Sequence, residues 1–74
     1  MPNKYIVIEI QTNSNGTVGN IVTSHDTLEQ AYSKFYAVLS AAAISSVPIH
    51  AAVIMDNTGY VYGKNNFNHE QNED

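Results

Sequence analysis

The sequence predicts an α+β domain of ββαββ order, a two-layer sandwich in which a four-stranded antiparallel sheet carries one helix on one face. Three observations predict it. Segments rich in β-branched and aromatic residues, apolar at a period of two, stand in both halves of the chain. One amphipathic stretch at helical spacing lies between them, and Asn-Gly and Thr-Gly pairs fall where tight turns are needed.

Residues 5–12, Tyr-Ile-Val-Ile-Glu-Ile-Gln-Thr, form the first expected strand, with Ile6, Ile8 and Ile10 repeating at every second position. Asn13-Ser14-Asn15-Gly16 follows as a hairpin turn, because Asn-Gly accepts positive φ angles, and Thr17 to Thr23 return as the second strand. Gly19 within that return predicts a bulge or a close backbone approach at a sheet edge. Asp26 reads as a helix N-cap, with Glu29 three residues later to complete a capping box. From Leu28 the residues Ala31, Tyr32, Phe35, Val38, Leu39 and Ala42 share one helical face until Ser45-Ser46 and Pro48 stop the pattern, which predicts a helix over about 27–44. Ile49 to Met55 predict the third strand, Asp56-Asn57-Thr58-Gly59 a turn with a left-handed glycine, and Tyr60-Val61-Tyr62 the start of the fourth. A helix crossing back over the sheet makes strand three run with strand two and against strand one. With the most apolar strands central, the order is 2-1-3-4. The domain is expected over 1–64, and 65–74, polar and acidic, as a flexible tail.

Composition bounds the function. A chain of 74 residues builds one small core, and with no cysteine it has neither disulfides nor a thiolate metal site, so self-association is the expected support. No run of basic residues before an apolar segment reads as a signal peptide, and no apolar run reaches the roughly 18–20 residues that span a bilayer; a cytoplasmic protein without membrane contact is expected. The net charge is −4, of which Glu70, Glu73 and Asp74 supply three. With no arginine and only Lys4, Lys34 and Lys64 there is no basic row to neutralise phosphates, which argues against direct nucleic-acid binding.

Motif by motif, catalysis finds no footing. His25, His50 and His69 are too dispersed for a metal signature and read as a residue at the start of the helix, a sheet-surface residue and a solvated tail residue. Ser45, Ser46, His50 and Asp26 can be assembled into a hydrolase trio on paper, but no Gly-x-Ser-x-Gly elbow presents a nucleophile. Glu9 and Glu29 have no sequence reason to share a site. Gly16-Thr17-Val18-Gly19 imitates a nucleic-acid-clamping glycine loop, yet such a loop joins two helices whereas this one opens a strand. Tyr5, Tyr60 and Tyr62 read as cross-strand packing pairs or interface residues in preference to a base-stacking platform. The expectation is a protein that is not an enzyme and takes no cofactor or metal.

Several stretches, Tyr5 to Asn13, Gly16 to Gly19, Ala41 to Ala43 and Pro48 to Val53, resemble a group of short uncharacterised proteins encoded by phages and prophages of Gram-positive bacteria. The likeness covers roughly residues 4–63. It implies a setting, a small viral protein in a bacterial host cell, and transfers no catalytic or binding residue. The expected function is therefore an accessory protein acting by self-association and protein contact, the partner being a host or phage protein. An inhibitor of a bacterial defence system and a minor structural component of a virion are the alternatives.

The expected oligomer is a twofold dimer, because one helix covers one side of the sheet and the other side remains apolar. If Ile6, Ile8 and Ile10 face the helix, then Tyr5, Val7, Ala52 and Ile54 face away and form the interface. The outer face of the helix, with Ala37, Ser40, Ala41 and Ile44, is the competing surface: its small residues permit close approach, although alanine is also simply the best helix former.

Overall fold

The computed structural model describes residues 4–69 and has the expected ββαββ order. Strand β1 spans Tyr5–Thr12, β2 Val18–His25, helix α1 Leu28–Ala43, β3 Ile49–Asp56 and β4 Val61–Asn68. The sheet is antiparallel throughout, in the order β2-β1-β3-β4, with α1 packed across one face.

Both hairpins close with one turn design. In the first, the Gly16 amide donates to the Asn13 carbonyl at 2.9 Å and the Asn13 amide to the Thr17 carbonyl at 2.9 Å. In the second, Gly59 donates to Asp56 at 3.1 Å and Asp56 to Tyr60 at 2.9 Å. Each is a type I turn followed by a glycine at positive φ, 89° at Gly16 and 93° at Gly59, the three-residue loop that ends in a bulge. Asn15 stays at negative φ, so the turn is one residue longer than a two-residue Asn-Gly hairpin, and its amide oxygen accepts instead from the Thr17 amide and hydroxyl.

The helix starts one residue later than expected. Thr27, with extended backbone angles, is the N-cap: its hydroxyl accepts from the Gln30 amide at 3.2 Å, and the Gln30 side chain accepts from the Asp26 amide at 3.3 Å. This reciprocal arrangement replaces the Asp26 and Glu29 box, because the Asp26 carboxylate is engaged by Lys4 at the foot of β1. At the other end, the Ala42 carbonyl, which takes the Ser45 amide at 3.3 Å, also accepts from the His69 ring at 2.8 Å, and the His69 amide donates to the Pro48 carbonyl.

β4 corrects the expected domain limit. Asn65–Asn68 are paired with β3 as far as Ile49 and belong to the sheet, because half-buried Phe67 stands opposite His50 and the ladder outweighs the poor strand propensity of asparagine. His69 is likewise tied to the domain, not to a solvated tail. Residues 70–74, with the acidic cluster, lie outside the described residues. No bulge occurs at Gly19, where the β1–β2 register is unbroken and the neighbouring space is open. The irregularity lies in the other hairpin, between Ile54 and Met55 opposite Tyr62. There Gly63 is the close-approach glycine: a Cβ would stand 3.5 Å from Ile54 and 3.8 Å from the Phe35 ring.

The orientation of the sheet is the reverse of the expected one. Val7, Ala52 and Ile54 lie beneath the helix with at most 1% of their surface exposed, packed against Ala31, Phe35 and Val38, with Tyr5, Leu28, Tyr32, Leu39 and Tyr62 around them. Ile6, Ile8 and Ile10 face the open side. Alternation alone could not decide, since both faces of β1 and β3 are apolar. The covered side is the one whose small residues, Ala52 and Gly63, let the helix and the Phe35 ring sit close to the strands.

Two stability changes are expected in urea or thermal unfolding. Thr27→Ala costs about 1 kcal/mol, and Asp26→Ala has the smaller effect. Gly16→Val costs about 2 kcal/mol, because a β-branched residue is forced to positive φ, and the loss is purely one of backbone strain because no atom stands near the added side chain.

Candidate functional site

Two features could carry function: the uncovered face of the sheet and a polar pair buried beneath the helix. The register sets the first. Ile8 on β1 lies opposite Val22 on β2 and Val53 on β3, and around this row stand Ile6, Ile10, Ala51 and Met55, all half-buried. Val18, Val22 and Val61 extend the surface and are 60%, 57% and 46% exposed. Its polar margin comes from Ser24 and Asn20 on one side and Lys64, Asn66 and Asn68 on the other, with Lys64 the charge among these five. The small side chain of Ala51 leaves a shallow depression of about 410 Å³ at the β3–β4 step, bounded by Ala52, Val53, Lys64, Asn65 and Asn66.

The expected interface residues separate accordingly. Val7, Ala52 and Ile54 are core residues and Tyr5 is half-buried beside them, so none of the four is on the open face. Ala37, Ser40 and Ala41 are exposed on the outer side of α1, and Ile44 is 88% exposed just past it. The residues the reversed orientation concealed are Ile6, Ile8, Ile10, Ala51, Val53 and Met55. No periodic signal marks them: Glu9 and Gln11 give the odd side of β1 a solvent-facing look, and only their pairing with the distant His50 makes that side a covered one.

That is the second feature. His50, expected on the sheet surface, is 3% exposed; its Nε2–H donates to Glu9 Oε2 at 2.7 Å, and the Gln11 amide donates to the same oxygen at 3.1 Å. Gln11 pairs with His50 across the strands, and Glu9 stands diagonally, which places a carboxylate against an imidazole under the C-terminal half of the helix. The Nδ1 atom of His50 is buried without a partner. Burial pushes the Glu9 carboxyl up, but the hydrogen bonds from His50 and Gln11, with the electrostatics of His50 and Lys34, outweigh it and hold the group below the usual glutamate range. Among the described residues the pair meets no hydroxyl or thiol nucleophile, and its other side-chain hydrogen-bond partner there is Gln11. Asp26 is bound to Lys4 at the far end of the sheet, so the Ser45, Ser46, His50 and Asp26 trio is not assembled.

The tyrosines form a third cluster around Asp56. The Tyr62 hydroxyl donates to Asp56 Oδ2 at 3.2 Å, Thr58 and Tyr60 bind Oδ1, and the rings of Tyr5 and Tyr60 lie 6.0 and 4.9 Å from that of Tyr62. The Thr58 hydroxyl bond, helped by the amides and outweighing burial, keeps Asp56 below the usual aspartate range. This is the cross-strand packing expected of Tyr5 and Tyr62, with Tyr60 left 63% exposed. Among the described residues no group of three or more His, Asp or Glu side chains could hold a metal ion, and no helix is long and apolar enough to cross a membrane. Comparison with protein-family models, with curated proteins and with solved structures gives no match.

The Glu9 pair makes stability depend on acid. Because the folded carboxyl has the lower pKa, its contribution is complete above the unfolded value and is lost as pH falls through the folded one. Unfolding midpoints measured from pH 7 to pH 3 are expected to fall less steeply for Glu9→Gln than for the parent. His50→Ala, which leaves Glu9 without its imidazole and opens a cavity, is expected to cost about 3 kcal/mol at neutral pH.

Proposed function

We propose that the chain is a non-enzymatic binding protein that associates with itself through the helix-free face of its sheet, as an accessory protein of a phage or prophage inside a bacterial cell. The observation that carries the reading is the continuous surface of Ile6, Ile8, Ile10, Val22, Val53, Ala51 and Met55, whose flanking positions on β2 and β4 carry one charge, Lys64. Contiguous apolar surface of this kind is uncommon on monomers and marks contact sites. Four strands of eight residues present a face about 26 Å by 19 Å, so that two copies stacked face to face cover about 1,000 Å², the lower bound of stable association. The setting rests on the resemblance to short phage and prophage proteins. The Glu9–His50 pair supports the same reading from the other side, since a buried hydrogen-bonded pair with no nucleophile among its described partners and no adjoining closed cavity serves the fold and not a reaction.

Light scattering coupled to size exclusion tests the surface. The parent is expected at a multiple of the 8.1 kDa chain mass, with Ile8→Lys halving the assembled mass and Ala41→Lys leaving it unchanged. Equal masses for the parent and Ile8→Lys overturn the assignment, and a loss confined to Ala41→Lys moves the interface to the helix.

A further inference from the structure

The two edges of the sheet are not alike. β4 carries the usual protections: the irregularity at Tyr62, a lysine at position 64, and an Asn65 side chain whose oxygen takes up the Asn66 amide at 2.8 Å. β2 has none of these. Val18 to Ser24 contains no charge and no proline, its register with β1 is unbroken over all eight pairs, and Val18, Ile21 and Val22 are more than half exposed.

Which backbone groups of β2 are open follows from the turn. The Asn13 amide bonds the Thr17 carbonyl, so Asn13 and Thr17 are a hydrogen-bonded pair, and alternation along the antiparallel ladder gives Gly19, Ile21, Thr23 and His25 to β1. The amides and carbonyls of Val18, Asn20, Val22 and Ser24 therefore point away from the sheet. These four positions are symmetric about Ile21: Val18 and Ser24 are equidistant from it, as are Asn20 and Val22.

We propose that β2 is a self-pairing edge, on which a second copy of this chain adds its own β2 antiparallel across a twofold axis at Ile21, giving a continuous eight-stranded sheet with both helices on one side. This deepens the proposed self-association by adding a contact distinct from the open face. An antiparallel edge-to-edge pair has its twofold axis perpendicular to the sheet, which keeps like faces together and joins residues of the same parity. With the axis at Ile21, Val18 pairs with Ser24 and Asn20 with Val22 of the second copy, and every outward amide and carbonyl from Val18 to Ser24 finds a partner. On the helix side Ile21 meets its own copy, and Thr23 of the second copy comes over Gly19, beside a shallow cleft of about 200 Å³ lined by Glu9, Gln11, Gly19, Asn20 and Ile21. Bulky residues thus meet small ones, Thr23 against Gly19 and Val18 against Ser24. No charge faces its own image, the condition an isologous pairing must meet. The helix does not obstruct the approach, since it leaves Ile21 54% exposed.

The test uses the full chain carrying Ile8→Lys, which removes the face contact and leaves β2 intact. At about 100 μM, a concentration suited to the micromolar affinities of small interfaces, this chain is expected to be a dimer by sedimentation. Adding Ile21→Lys or Ile21→Glu places like charges about 5 Å apart on the axis and is expected to give monomers of 8.1 kDa. An equimolar mixture of the two is expected to restore the dimer. In the otherwise unaltered parent, the amides of Asn20 and Val22 are expected to exchange more slowly as concentration rises, while that of Ile21, already bonded to β1, stays constant. A monomeric Ile8→Lys chain, or lysine and glutamate variants that fail to combine, overturns edge pairing and leaves the open-face reading standing. An unchanged mass on Ile8→Lys alone does the opposite.

Discussion

A single sixteen-residue helix cannot cover both faces of a four-stranded sheet, and the rest of the structure follows from how this chain meets that shortage. The helix lies on the side where Ala52 and Gly63 let it come close, and it buries Val7 and Ile54 there at full density. The remaining apolar residues of β1 and β3, which alternate with the buried ones, are left on the opposite side. A larger protein would place a second layer on them. Among the described residues no second layer covers them, and the sequence carries no cysteine to add covalent stability.

The architecture was legible because its signals are local. Ile6, Ile8 and Ile10 at a period of two, Leu28 to Ala42 at helical spacing, and Gly16 and Gly59 at the turns each depend on a few neighbouring residues, and strand order then followed from the direction a helix imposes on the strand after it. The facing of the sheet was not legible in the same way. Alternation identifies two faces but names neither as inner when both are apolar, and the presence of Glu9 and Gln11 among the odd positions of β1 argued for the wrong one. The contact that makes those polar residues compatible with the covered side joins positions 41 apart, Glu9 with His50, which no periodicity expresses. The N-cap illustrates the same limit on a smaller scale: Asp26 and Thr27 are both good caps, and the distant Lys4 engages the first and leaves the second to the helix.

Polar groups in this fold are placed to be satisfied from more than one element. Glu9 is held by Gln11 on its own strand and by His50 on the next, and Asp56 collects Thr58 and Tyr60 from its turn and the Tyr62 hydroxyl from β4. The two carboxylates stand on the helix-covered face, Glu9 midway along the central strand pair opposite Ala52 and Asp56 at its end opposite Tyr5. Each ties a strand to its neighbour, and a fixed register is what keeps the apolar sets on their own faces.

The unequal edges bear on how far any assembly of this chain can grow. A sheet that accepts strands at both margins has two valences, and units of that kind join end to end without limit, which is the geometry of a filament. The irregularity at Tyr62, the charge at Lys64 and the amide occupied by Asn65 remove one of those valences. A body with one remaining can be joined along its edge once and is then complete, so that concentration raises the number of finished particles and not their length.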